Sequence, residues 1–332
     1  MRNLKRIRLA IGVFALAGLF ASGTALAQTA AAAPWPTRPV KIIVTFPPGG
    51  TSDLVARLLA PKLSTALGQS VFVENKPGGA GIIGADSVAR SPADGYTLVV
   101  STPGSHSIAP TLNRNIKYDA AADFSHIALI GSLPHVLLVN NTFAARNLGE
   151  YVAMAKQQPG KIDFGSGGAG SINHVIGELF ASRAGISITH IPYKGSAAAI
   201  SDLRGNTVPS VVDALPANVG SIRNGDLRAL AITSAQRSAL APDIPTFKEL
   251  GYPEVVVENW VGFSGPAKLP DDIVKRLSVE TEKALALPDV QEKLREWGMV
   301  TTFKGPTEFA TFVRADIARW RPVIIASGAQ ID

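Results

Sequence analysis

The sequence predicts an α/β protein whose chain divides into two lobes, on three observations. Residues 148–233 alternate short apolar runs with helical patterns, the rhythm of βαβ units in a parallel sheet with helices on both faces. A strand, a glycine-rich turn and a helix start follow one another twice, at residues 41–53 and 161–174. Such turns lie beyond the carboxyl ends of strands, where ligands bind on open α/β sheets. Finally, the helical patterns at 270–287, 288–297 and 308–325 follow a strand-like run at 255–263, and they read as the packing layer of a first lobe.

The chain begins with a basic stretch holding Arg2, Lys5, Arg6 and Arg8, then the apolar run 9–20 and the small-x-small site Ala25-Leu26-Ala27. This predicts a Sec-type signal peptide cut after Ala27, and the apolar run is too short for a span of about 20 residues. Four of the six net positive charges belong to it, so a nucleic-acid partner is not supported. The chain has no cysteine, which excludes disulfides, thiolate chemistry and a lipoprotein anchor. With 46% hydrophobic residues, stability must come from the core. Removing the leader leaves roughly 300 residues, enough for two domains of about 100–200.

Residues 28–34 read as a small-residue tail, and 41–46 as the first strand. The helix after Asp53 places Leu54, Leu58, Leu59, Leu63 and Leu67 on one face and stops at Gly68, with Pro61 predicting a kink or an early break. A strand at 70–74, a helix at 82–90 and a strand at 96–101 follow. Two short strands, 127–131 and 136–139, are joined by Ser132-Leu133-Pro134-His135. From Leu148 the reading is helix to 158, strand 161–164, helix 171–184, strand 186–190, helix 196–204, strand 208–213, helix 216–224 and strand 228–233. The chain is expected to cross between lobes near 132–135 and to return near 251–256.

The first turn reads Phe46-Pro47-Pro48-Gly49-Gly50-Thr51-Ser52-Asp53. Its prolines fix the exit, its glycines permit positive φ or close approach, and Thr51, Ser52 and Asp53 are capping residues. The unpaired N–H groups and the dipole of the next helix make this an anion site. The second turn, Gly165-Ser166-Gly167-Gly168-Ala169-Gly170, leads into Ser171-Ile172-Asn173-His174. If the two turns face each other, an acid is held between them. Neither contains an arginine, so it would be bound by backbone and hydroxyl donors.

Gly165-x-Gly167-x-x-Gly170 also matches a dinucleotide fingerprint, but the next strand ends at Thr189-His190 without the acid that motif needs. No P-loop ending or G-x-S-x-G elbow occurs. The five histidines, 106, 126, 135, 174 and 190, lack zinc spacing. Ser105 and His106, on the loop after 96–101, are candidates for a third cleft wall, and His174 lies on the second turn. Tyr193 reads as a strand-end turn residue, Asp213 as a helix cap or a cleft residue, and Trp260 as core or an apolar ligand wall.

The chain resembles the TctC/Bug family of solute receptors at Trp35-Pro36-Thr37-Arg38-Pro39-Val40-Lys41-Ile42-Ile43-Val44, at the first turn and at Val73-Glu74-Asn75-Lys76-Pro77-Gly78. The resemblance continues through Asp94-Gly95-Tyr96-Thr97-Leu98, Phe164-Gly165-Ser166, His174, Gly177-Glu178-Leu179-Phe180, Ile191-Pro192-Tyr193-Lys194-Gly195 and Leu227-Arg228-Ala229-Leu230-Ala231. It implies a type II periplasmic-binding-protein fold, two α/β lobes with a ligand cleft between them, divided as 28–133, 134–253 and a return segment 254–332. It further implies a periplasmic protein, without enzymatic activity or cofactor, that captures a small carboxylate for a tripartite tricarboxylate transporter. The ligand class spans di- and tricarboxylates, amino acids and aromatic acids. The expected partners are that ligand and the membrane permease subunits, and a monomer is expected. Matched to the family, Pro48, Gly49, Gly50, Thr51 and Asp53 fall on the first binding loop, and Ser166, Gly168, Ser171 and His174 on the second. Asp213 matches an acidic position after a strand, where the family pattern often reads Asp-Asn and Ala214 stands here. The alternatives are a ligand carrier for a sensor system and, in another class, a nucleotide-binding α/β enzyme.

Overall fold

A strand buried on both faces carries a near-continuous apolar run. The run Phe124–Asn140 forms one such strand, β4, in which every residue but Ser125 is buried. The computed structural model describes residues 35–113 and 115–327; the predicted leader, 1–27, and tail, 28–34, lie outside them. The two short strands predicted at 127–131 and 136–139 are therefore one. Pro134 suggested a break because proline cannot donate to a ladder. It is accommodated where β4 changes neighbours: Pro134 is its last pair with β9 (Glu258–Pro266), and His135 its first with β7 (Ser210–Ala214).

On the first side of that change lie β1 (Val40–Val44), β2 (Val71–Asn75) and β3 (Thr97–Ser101), with β1 parallel to both neighbours. Antiparallel β9 joins β3 to β4, and β10 (Val300–Lys304) borders the other edge of β4. Beyond Pro134, β4 runs antiparallel to β7 and to β8 (Leu227–Ile232). There β5 (Asp163–Ser166) is parallel to β7 and to β6 (Thr189–Pro192). The parallel sheet predicted here is thus mixed, because β4 enters it from the other half of the molecule. β10 was not predicted: Val300, Thr301 and Thr302 are all exposed, so no apolar alternation marks it.

The helices in chain order are α1 (Thr51–Leu67), α2 (Ile82–Ala89), α3 (Ala109–Leu112), α4 (Leu148–Gln157) and α5 (Ile172–Ala184). They continue as α6 (Ser196–Arg204), α7 (Leu215–Arg223), α8 (Asp271–Leu285), α9 (Pro288–Glu296) and α10 (Pro306–Ser327). α1 buries Val55, Ala56, Leu59, Ala60, Leu63 and Leu67. Of the predicted stripe, Leu54 is exposed and Leu58 only partly buried. Pro61 does not break the helix: it and Arg57, whose carbonyl it leaves without an i+4 N–H partner, both lie on the exposed side, where that carbonyl is open to solvent. Gly68 ends the helix at φ 71°, its N–H 3.0 Å from the Ser64 carbonyl.

One core joins β1 and α1 to Ile273, Leu277 and Leu285 of α8 and to Val290 and Leu294 of α9. A second gathers Leu137 and Val139 of β4 with Tyr151, Phe164, Ile176 and Phe180. α10 reaches both sides: Phe309 and Val313 pack on Leu129 and Trp260, while Trp320 and Ile324 enter the second core. No helix among the described residues is long and apolar enough to cross a membrane. No group of three metal-ligating side chains is found among them either.

A side chain at Gly262 of β9 would meet the Phe309 ring at 2.4 Å and the Ala128 carbonyl of β4 at 2.7 Å. Gly262→Val should therefore destabilise by about 1–3 kcal/mol, read as a lowered urea midpoint; an unchanged midpoint would show that β9 yields without cost. His126 and His135, both on β4, are each lowered to about 4, chiefly by burial. The unfolded chain binds their protons below about 6.5 and the folded chain does not. Stability should be complete above pH 6.5 and fall as pH drops toward 4, by up to about 1.4 kcal/mol per pH unit for each ring. Urea midpoints between pH 6.5 and 5, above most carboxylate titration, test this; a flat profile would mean that both rings protonate freely in the fold.

Candidate functional site

β1 delivers the chain to the first glycine turn. Gly49 takes φ 85°, whereas Gly50, at φ −77°, has ordinary extended geometry and space for a side chain. Glycine is thus conformationally required at Gly49 alone of the two. Gly50 is the N-cap of α1 and offers no side-chain acceptor, so the first N–H groups of the helix lack intrahelical partners and carry its positive end. Pro48, Gly49 and Gly50 are exposed and Thr51 is half-buried.

Asp53 faces inward. Its carboxylate accepts from Gly49 N–H at 3.0 Å, from Arg57 Nε at 3.0 Å and from Asn75 Nδ2 at 2.9 Å. Asn75 Nδ2 also donates to the Phe46 carbonyl at 3.1 Å. Burial by itself would raise the Asp53 pKa, but the bonds from Arg57, Gly49 and Asn75 hold it below the usual value. Asp53 ties the turn to its base.

The loop after β3 forms a π-helical turn, Gly104–Ile108. Ser105 and His106 are fully buried in it. Ser105 Oγ lies 2.9 Å from His106 Nδ1, His106 Nε2 lies 3.2 Å from Ser101 Oγ, and Ser101 donates to Ser264 Oγ at 2.7 Å. His126 Nδ1 ends the chain, 3.0 Å from Ser264 Oγ. Burial first, and then the neighbouring His126, hold His106 well below the usual histidine range, so it stays neutral. The loop touches both halves: a side chain at Gly104 would meet the Phe46 ring at 3.1 Å, while Ile108 and Leu112 join the core of Phe164 and Ile172.

The second turn follows β5. Ser166 Oγ accepts from Gly168 N–H at 3.1 Å and lies 2.6 Å from His190 Nε2. Ser171 caps α5, accepting from His174 N–H at 3.3 Å while donating to the Gly168 carbonyl at 2.7 Å. His174 Nδ1 accepts from Gly170 N–H at 3.2 Å, and its ring stacks on His190 with centroids 3.8 Å apart. Burial, and secondarily His174, lower His190 to about 3, so the ring beside Ser166 Oγ is uncharged. Gly168, at φ 133°, would bring any side chain within 3.2 Å of the Tyr193 carbonyl.

Asp213, the penultimate residue of β7, is buried, with Oδ1 accepting from Asn173 at 3.0 Å and Oδ2 from Asn218 at 2.9 Å. Tyr193 backs the turn, its hydroxyl donated to Asp202 at 2.9 Å. Trp260 is 2% exposed and donates its indole N–H to Asp316 at 2.8 Å. The structure thus brings Pro48, Gly49, Gly50, Thr51 and Asp53 together at one strand end, and Ser166, Gly168, Ser171, His174 and Asp213 around another. Ser105, His106 and Trp260 lie beneath these surfaces. Asn75, Asn173, His190 and Asn218 were not singled out in the sequence. Asn173 and His190 carried a signal, one on the first turn of a helix and the other ending the strand beside a glycine turn.

A family model for the tripartite tricarboxylate transporter family receptor, TctC, matches residues 55–329. Protein BugT of Bordetella pertussis is 37% identical over 320 residues, covering 96% of this chain and 98% of its own. Among solved structures, R. palustris Rpa4515 with adipate is 36% identical with a TM-score of 0.83, covering 90% of this chain and 100% of its own. MatC from Rhodopseudomonas palustris with bound malate is 30% identical with a TM-score of 0.81, covering 87% and 100%. Strand order, paired glycine turns and these matches agree: the chain belongs to the TctC/Bug family of periplasmic solute-binding proteins and has their fold, two α/β lobes with a ligand cleft between them.

Proposed function

We propose that this protein captures a small carboxylate between its two glycine turns and delivers it to the permease subunits of a tripartite transporter. The observation that carries the reading is the state of the first turn. Gly49 and Gly50 lie open above an uncapped helix N-terminus, and the one carboxylate in the turn, Asp53, is turned away and neutralised from below. A ligand carboxylate placed there completes N–H groups that the fold leaves without acceptors. The second turn would take the same acid from the other lobe through Ser166, Gly168 and the start of α5. Adipate and malate in the two solved relatives support an acid as the ligand.

Neither glycine turn supplies a lysine or arginine. Each hydrogen bond to a charged group contributes about 1.5–3 kcal/mol, so several suffice for the roughly 8 kcal/mol of micromolar binding. Bonds of that size also permit release. The lobes comprise 28–133 with 254–332, and 134–253, and closure around the acid marks the loaded state. A permease distinguishes loaded from empty receptor only if the ligand interacts differently with the two states. The protein acts in the periplasm after cleavage behind Ala27, as a monomer and without converting its ligand.

A thermal-shift screen with di- and tricarboxylates, amino acids, aromatic acids and NAD tests the ligand class. An acid at 100 times its Kd should stabilise by about 2.7 kcal/mol; a response to NAD alone would overturn the reading. Gly168→Val, strained by both its φ and the Tyr193 carbonyl, should weaken acid binding by about tenfold or more with a near-normal unfolding midpoint. Unchanged affinity would remove the second turn from the site.

A further inference from the structure

Asp213 is a buried carboxylate held by neutral groups. In the described residues no lysine or arginine pairs with it, and its oxygens accept one amide each, from Asn173 and Asn218. Both amides are shared. Asn173 Nδ2 also serves the Val212 carbonyl at 2.9 Å and Ser196 Oγ at 3.2 Å, and Asn218 Nδ2 the Ala214 carbonyl at 2.8 Å. A carboxylate accepts up to about four hydrogen bonds, so Asp213 keeps acceptor capacity. Beside it stands His135, 1% exposed, whose Nδ1 finds no hydrogen-bond partner among the described residues.

The place of this group is set by strand register. Gly165 of β5 pairs with Val211 of the parallel β7 as the last pair between them, and Asp213 follows two residues on, at the same end of the sheet from which the second turn leaves β5. Ser196 Oγ links the two, bonded to Asn173 and 3.0 Å from where a Gly167 side chain would begin. A second ligand carboxylate brought to Asp213 would meet like charge at low dielectric, which is strongly unfavourable. A donor brought there would fill the unused acceptor capacity.

We infer that Asp213, with His135, Asn173 and Asn218, forms a selectivity subsite that takes a hydrogen-bond-donating substituent, an ammonium or a hydroxyl, carried next to the ligand's carboxylate. The inference rests on the carboxylate reading above and narrows it: the preferred ligand is an amino or hydroxy acid rather than a plain dicarboxylate. Asp213 discriminates because leaving its oxygens short of donors in the bound state penalises a ligand that lacks the substituent.

Calorimetric titration of the wild-type protein with acids of matched length tests this: succinate, malate and aspartate, then glutarate, 2-hydroxyglutarate and glutamate, with adipate as a longer plain acid. The donor-bearing acid should bind about tenfold or more tightly than its plain counterpart. Aspartate above malate marks an ammonium, and the reverse a hydroxyl. In Asp213→Asn that advantage should shrink to about threefold or less, with the plain acid's affinity little changed. Plain acids binding as tightly as substituted ones in the wild type would overturn the subsite while leaving the carboxylate reading intact, and that comparison needs no variant to fold. A uniform loss across all acids in Asp213→Asn, at a normal unfolding midpoint, would overturn it too. Silence from every acid would overturn both readings together.

Discussion

The pairing of β4 along both edges is the constraint on which the rest depends. One strand is bordered by β9 and β10 before Pro134 and by β7 and β8 after it, so its position fixes two sheets at once. Such a strand has almost no solvent-facing side, which is why it is mostly apolar and why its two histidines are held uncharged by burial. α10 reinforces the join from one face, with Phe309 against the β4–β9 pair and Trp320 in the second core. The strand ends that carry the glycine turns take their positions from this frame.

Each binding turn is fastened from beneath so that its open face can remain uncharged. In the first, Asp53 and Asn75 clasp Gly49 and Phe46. In the second, the stacked His174 and His190 hold Gly170 N–H and Ser166 Oγ. Side chains of these types in a glycine turn invite a catalytic or ligand-contacting reading. In the structure these side chains make hydrogen bonds that hold the turns.

Local signals made most of the elements legible. Gly68 ends α1 because a left-handed residue is cheapest without a side chain, and Ser171 caps α5 because its hydroxyl reaches a free N–H; both can be read from four or five neighbouring residues. The errors arose where a distant partner overruled a local rule. Pro134 looked like a break but sits at a change of neighbours, Pro61 is tolerated on an exposed face, and exposed β10 is a strand only because β4 offers it an edge.

The same division holds for the site. The sequence by itself determined the α/β class, the two strand–glycine turn–helix units and the family resemblance, because each is written in short runs of residues whose backbone preferences are local. Only the tertiary structure decided which of the candidate side chains are buried and what they hold. Asp53, Ser105, His106 and Trp260 turn inward, while His135, from the crossing strand, and Asn173 and Asn218, from two helices, gather around Asp213. That assembly draws on residues 83 positions apart in the chain, and the register of β4 against β7 brings them together. Contacts across such a separation arise from sheet pairing and core packing, for which no local pattern of residues codes.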